Sequence, residues 1–105
     1  WVISGGTLNT TSETDYCHQD ISDQSNITME VIFTVTAVSA GSVQFRIFGD
    51  SSTTLGTARS TVGTFTEFIQ FPSDHNGSIG FQGSSFTGSI DNLSITEFAI
   101  RPLDV

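Results

Sequence analysis

Between Thr28 and Ala37 the side chains alternate with a period of two. Met29, Val31, Phe33 and Val35 fall on one phase and Glu30, Ile32, Thr34 and Thr36 on the other. Only an extended strand places every second side chain on one face, so this stretch predicts a strand with one face in a core. Val43, Phe45 and Ile47 repeat the pattern against Gln44, Arg46 and Phe48. The intervening Ala40-Gly41 pair predicts a short hairpin between antiparallel neighbours. No stretch carries helix-length apolar periodicity.

The remaining strand signals recur every eight to twelve residues, the spacing of a sandwich or barrel. They predict strands at Trp1 to Ile3, resuming at Thr7 to Thr10 after the Gly5-Gly6 break, and then at about Asp15 to Ile21. A polar stretch from Gly49 to Gly56 leads to a predicted strand at Thr57 to Val62, followed by Thr64 to Phe71. Pro72 ends that strand, Asp74 to Gly77 turns, and Ser78 to Gln82 runs with Ile79 and Phe81 inward. A Gly-Ser loop then leads to the last strand. Glu67 falls in the apolar phase with Phe65, Ile69 and Phe71, so it marks a bulge or reaches Arg46 or Arg59. With 30 Ser and Thr and nine Phe in 105 residues, the composition is that of an all-β domain. The expectation is a single two-sheet antiparallel jelly-roll sandwich of about eight strands spanning 1–105, processed or part of a longer polypeptide.

Charge narrows the function. Three arginines, no lysine and a net charge of -8 repel phosphate backbones, so nucleic acid is not an expected partner. Neither is a membrane, since no apolar run approaches the roughly 20 residues a spanning helix needs. Cys17 is the only cysteine, which leaves no intrachain disulfide and no zinc spacing. Asn9, Asn26, Asn76 and Asn92 head Asn-x-Ser/Thr triplets, a pattern that a Ser/Thr-rich chain also produces by chance. His75, within Asp74-His75-Asn76-Gly77, reads as a surface turn residue, and His18 with Asp15, Asp20 and Asp23 as a solvated acidic loop. Glu13, Glu30, Glu67 and Glu97 are dispersed over strands, which does not suit the carboxylate pair of a glycosidase. The chain is not expected to be an enzyme.

Trp1-Val2-Ile3-Ser4-Gly5-Gly6-Thr7 at the start, Gly63-Thr64-Phe65-Thr66-Glu67-Phe68, and Phe86-Thr87-Gly88-Ser89-Ile90-Asp91-Asn92-Leu93-Ser94-Ile95 near the end occur in an order that spans nearly the whole chain. This order resembles the jelly-roll domains related to carbohydrate-binding modules and the galactose-binding-like fold. Such domains recur in secreted glycosidases and in bacteriophage tail and capsid appendage proteins. In the sugar-binding relatives, an aspartate at the position of Asp91 often helps hold a structural calcium, an ion that takes six to eight oxygens. The resemblance therefore implies calcium at Asp91, or else a hydrogen-bonded Asp91 and Asn92 that tie the last strand to the first turn. No other cofactor is expected.

Those relatives stack pyranose faces on Trp or Tyr and read hydroxyls with Asn, Gln, Asp and Arg. Trp1 and Tyr16 are the strong stacking candidates here, with Trp1 alternatively covering the sandwich edge. Gln44 and Arg46, with Phe48 beside them, lie on the alternate face of a middle strand, where they form a platform with Tyr16, His18 and Gln82 or are simply its solvated face. Two functions follow as expectations. One is a structural or adhesion domain of a virion appendage, a homo-oligomer or a partner of other virion proteins, whose contacts include host-surface glycans. The other is a carbohydrate-binding module of an extracellular glycosidase or adhesin. Both place the chain on a virion surface or outside the cell.

Overall fold

The computed structural model describes residues 2–4, 7–13, 16–21 and 25–97, with side chains at 8–10, 16–21 and 25–97. Trp1, the Gly5-Gly6 break and the acidic pair Asp15 and Asp23 lie outside the described residues. The chain is all-β, and its strands pair antiparallel throughout. In order they are β1 (Val2–Ser4), β2 (Thr7–Glu13), β3 (Tyr16–Asp20), β4 (Thr28–Gly49), β5 (Thr53–Leu55), β6 (Gly63–Gln70) and β7 (His75–Glu97).

Two expectations fail at the same place. Ala40-Gly41 does not turn a hairpin, and no loop separates Gln82 from the last strand. Instead, β4 and β7 run through these points as strands of 22 and 23 residues that pair along most of their length. All the strands therefore join one hydrogen-bonded sheet rather than two. The first half of β4 has β6 on its other side and the second half has β5. Likewise β7 pairs with β3 in its first half and with β2 in its second.

This sheet is bent back on itself. Phe81 pairs with Phe45, twelve positions beyond Phe33 on β4, about 40 Å away along a straight strand. Yet the Phe33 and Phe81 rings lie 5.2 Å apart, edge to face. The two halves must face each other. The bend is built from bulges, since the β4–β7 register shifts repeatedly between Val35 and Ser42. Gly41 sits there at φ 70° with Ser84 and Ser85 carbonyls against it, leaving no room for a Cβ.

Side-chain parity shows how β7 negotiates the same corner. Its inward residues are odd-numbered before the bend, at Ile79 and Phe81, and even-numbered after it, at Phe86 and Ile90. The switch needs one extra residue, and Ser85 at φ 49° sits in that stretch. A second extra residue comes at Asn92, φ 56°, where Thr34 pairs with Asp91 but Ile32 pairs with Ser94. Asn tolerates this left-handed region better than most residues.

The enclosed core comprises Met29, Val31, Phe33, Val35, Val43, Phe45, Ile47, Phe71, Ile79, Phe81, Phe86 and Ile90. The inward assignment of both alternating runs thus holds. Glu67 is also inside, 8% exposed, and of the two arginines considered for it the partner is Arg59, whose Nη2 lies 3.3 Å from Oε2. Thr57 N–H donates to its other oxygen at 2.8 Å. Residues 57–62 form no strand; Arg59 makes an isolated bridge to Val43, and the strand in this region is β5, within the stretch expected to be a polar connection. His75 is a further correction. It is 2% exposed, edge-on to Phe71 at 4.8 Å, with Nε2 3.2 Å from the Ser78 carbonyl.

The β4–β5 connection is tied to residue 74. Asp74 accepts hydrogen bonds from Ser52 Oγ (2.6 Å), Ser51 N (2.9 Å) and Ser51 Oγ (3.1 Å). These bonds, Ser52's above all, lower its carboxyl pKa from 3.8 to about 2. A depressed folded-state pKa contributes stability above the unfolded value that is lost as pH falls through the folded one. Wild type should therefore lose its margin over Asp74→Asn as the pH drops from about 4 to about 2, measured by thermal melts across that range. An unchanging gap between the two proteins would contradict the hydrogen-bonded clamp.

Candidate functional site

On the second half of β4 and the first half of β7 the odd-numbered residues point into the core, so Gln44, Arg46, Phe48 and Gln82 must point out. Cross-strand register then decides their neighbours. Tyr16 pairs with Gln82, and Gln82 with Gln44; His18 pairs with Gly80, and Gly80 with Arg46. On the other flank Arg46 pairs with Leu55 and Phe48 with Thr53. One outer face thus gathers residues from β3, β7, β4 and β5. It brings together Tyr16, His18, Gln44, Arg46 and Gln82, and adds Leu55 and Thr53, which lay in the stretch expected to be a polar connection.

Arg46 organises the face. Its guanidinium carbon lies 4.1 Å from the centre of the Tyr16 ring and 4.5 Å from that of Phe48. The two rings are themselves 5.1 Å apart, and His18 meets Phe48 edge-on at 6.0 Å. Stacking of a guanidinium on ring faces is favourable, and more so where water is partly excluded. Arg46 Nη1 donates to Gln82 Oε1 at 2.6 Å, and Nη2 to Thr53 Oγ1 at a long 3.4 Å. Gln44 donates its amide to the Gly56 carbonyl at 3.1 Å. Gly80, at the centre of this face, abuts the Cys17 carbonyl so closely that no Cβ fits, and contributes no side chain between Arg46 and His18.

The result is a preassembled surface with an aromatic wall and amide groups at its margin. Tyr16 remains 44% exposed although the guanidinium covers part of it. An exposed ring offers a π-face to the C–H bonds of a ligand, and Gln44, Gln82 and His18 supply donors and acceptors beside it. Phe48, by contrast, is half-buried beneath Arg46 and its aromatic neighbours.

The other sequence candidates lie elsewhere. Asp91 and Asn92 sit on the second half of β7, where Asn92 N–H donates to Asp91 Oδ1 at 2.8 Å. That bond stays within the bulge, and the first turn it was expected to reach lies outside the described residues. No cluster of three or more His, Cys, Asp or Glu suited to a metal ion occurs among the described residues. A cavity of about 350 Å³ opens between the sheet halves on the β2–β3 side, lined mainly by apolar groups including Leu8, Cys17, Phe81 and Ile90. Phe68 is exposed on β6, 56%.

Comparison with family models, with curated proteins and with solved structures finds no match to this chain.

Proposed function

We propose that this chain is a jelly-roll domain that works by surface recognition rather than catalysis, an adhesion domain of the virion-appendage kind that contacts cell-surface glycans through the Tyr16–Arg46 face. The strand order supports the fold assignment. Counted by halves, β2, late β7, early β4 and β6 form one set of four neighbours, and β3, early β7, late β4 and β5 the other. Each long strand serves both sets, as in a rolled pair of Greek keys.

The observation that carries the function is the exposed Tyr16 ring, held in place by Arg46 and Phe48 and flanked by Gln82 and Gln44. Pre-ordered aromatics lose little conformational entropy on binding, and bordering amides give direction to hydroxyl recognition. Fold alone does not specify function, so the proposal rests on this face. In a glycan array the wild-type chain should bind a defined subset of glycans. Tyr16→Ala should lower that binding by about tenfold or more while remaining folded, since covering a large apolar side chain is worth about 1.5–3 kcal/mol. A folded wild-type chain that binds no glycan would overturn the proposal.

The same face also suits a carbohydrate-binding module of an extracellular glycosidase or adhesin. Phe68, exposed on the opposite half of the sheet, favours the appendage reading because an oligomer would cover it. Light scattering separates the two readings: a stable homo-oligomer supports the appendage domain, and a monomer the module.

A further inference from the structure

We infer that the Tyr16–Arg46 face takes an acidic saccharide, with the carboxylate of a uronic or sialic acid unit on Arg46 and the sugar ring against Tyr16; the inference rests on the recognition reading of this face. The chain has three arginines against eleven acidic residues, so each cation has many candidate partners. Arg59 takes one, Glu67. Arg46 makes no ion pair among the described residues, and its bonds go to the neutral Gln82 and Thr53. Its Nε is buried without a hydrogen-bond partner, beside the rings that cover the group.

A guanidinium has five N–H donors in a planar fork that matches a carboxylate. Arg46's two terminal nitrogens each spend one N–H on the neighbours named, and the Thr53 bond is long. The fork thus keeps donors for a ligand, and the stacked rings fix its plane in advance. A half-buried cation with no counter-ion among the described residues is a costly arrangement, and an incoming carboxylate relieves it. The overall charge of -8 opposes any anion at long range, but salt at physiological strength screens fields beyond about 8 Å, leaving the local fork to decide. A saccharide is favoured over an acidic peptide because the partly exposed Tyr16 ring and the amides of Gln44 and Gln82 supply a stacking surface and hydroxyl partners beside the cation.

The test is a calorimetric titration of the intact chain with trigalacturonic acid, its neutral methyl ester, sialyllactose, lactose and a glutamate tripeptide. At least one acidic saccharide should bind, and its neutral counterpart about tenfold more weakly or worse. Arg46→Lys, which keeps the charge but loses the fork, should erase most of that preference while its melting temperature shows it folded. Neutral and acidic forms bound equally would overturn this inference and leave glycan recognition standing. The tripeptide binding as well as the acidic sugars would overturn it too. Absence of all saccharide binding would overturn the recognition reading itself.

Discussion

Phe33→Ala is expected to destabilise the fold by about 3–5 kcal/mol, the range for emptying an aromatic site in a closed core. Phe33 is fully buried and touches rings from both halves of the bent sheet: Phe65 at 5.9 Å within its own half and Phe81 at 5.2 Å across the interior. For a domain of this size such a loss lowers the melting temperature by well over about 10 °C. The sharper form of the test is a double-mutant cycle with Phe81→Ala. Two residues far apart along a flat sheet would give additive losses, whereas facing rings should be coupled by about 0.5–1.5 kcal/mol. A near-wild-type melt for Phe33→Ala, or strict additivity in the cycle, would contradict the folded-over architecture.

The second large effect is expected at Arg59. Its backbone bridges to Val43 on the second half of β4, in both directions at 2.8 and 2.9 Å, while its guanidinium reaches Glu67 on β6, which pairs with the first half. The pair therefore ties the two halves together on the β5–β6 side, with Arg59 also stacked over Phe65 at 4.5 Å. Arg59→Ala would leave the Glu67 carboxylate buried with only the Thr57 N–H as a charge-assisted partner. Loss of hydrogen bonds to a charged group costs about 1.5–3 kcal/mol, and the lost ring contact adds to it. Urea denaturation should show that loss. Adding Glu67→Gln should recover part of it by removing the stranded charge. An unchanged midpoint for Arg59→Ala would contradict the tie.

Period-two alternation made the inward residues of β4 legible, because a strand with one buried face leaves few other solutions. It also made Gln44, Arg46 and Phe48 legible as outward residues, while parity left Glu67 either at a bulge or reaching an arginine, and the ion pair with Arg59 decides between them. The bend was not legible. Ala40-Gly41 and Gly83-Ser84-Ser85 carry the residue types of turns, and a bulged corner in a long strand uses those same small residues to let backbones approach. His75 was misread for a related reason. Asp74-His75-Asn76-Gly77 has turn chemistry at its ends, and only the contacts with Phe71 and the Ser78 carbonyl reveal that the imidazole is enclosed. Within the candidate face, only the resemblance to sugar-binding domains grouped Tyr16, His18 and Gln82 with Arg46, and a simple solvated face stood beside it as the alternative. The stacking of the guanidinium over two adjoining rings depends on the three-dimensional register of β3 and could not be read from spacing. Leu55 and Thr53 were missed because a three-residue edge strand is too short to show a period.

The most direct measurement of the central claim is a map of amide and side-chain chemical-shift changes in the labelled chain as an array-selected glycan is added. Changes concentrated at Tyr16, His18, Gln44, Arg46 and Gln82 are the predicted result. Changes centred instead on Phe68 and the outer face of β6, or on the apolar cavity between β2 and β3, would contradict the assignment of this face.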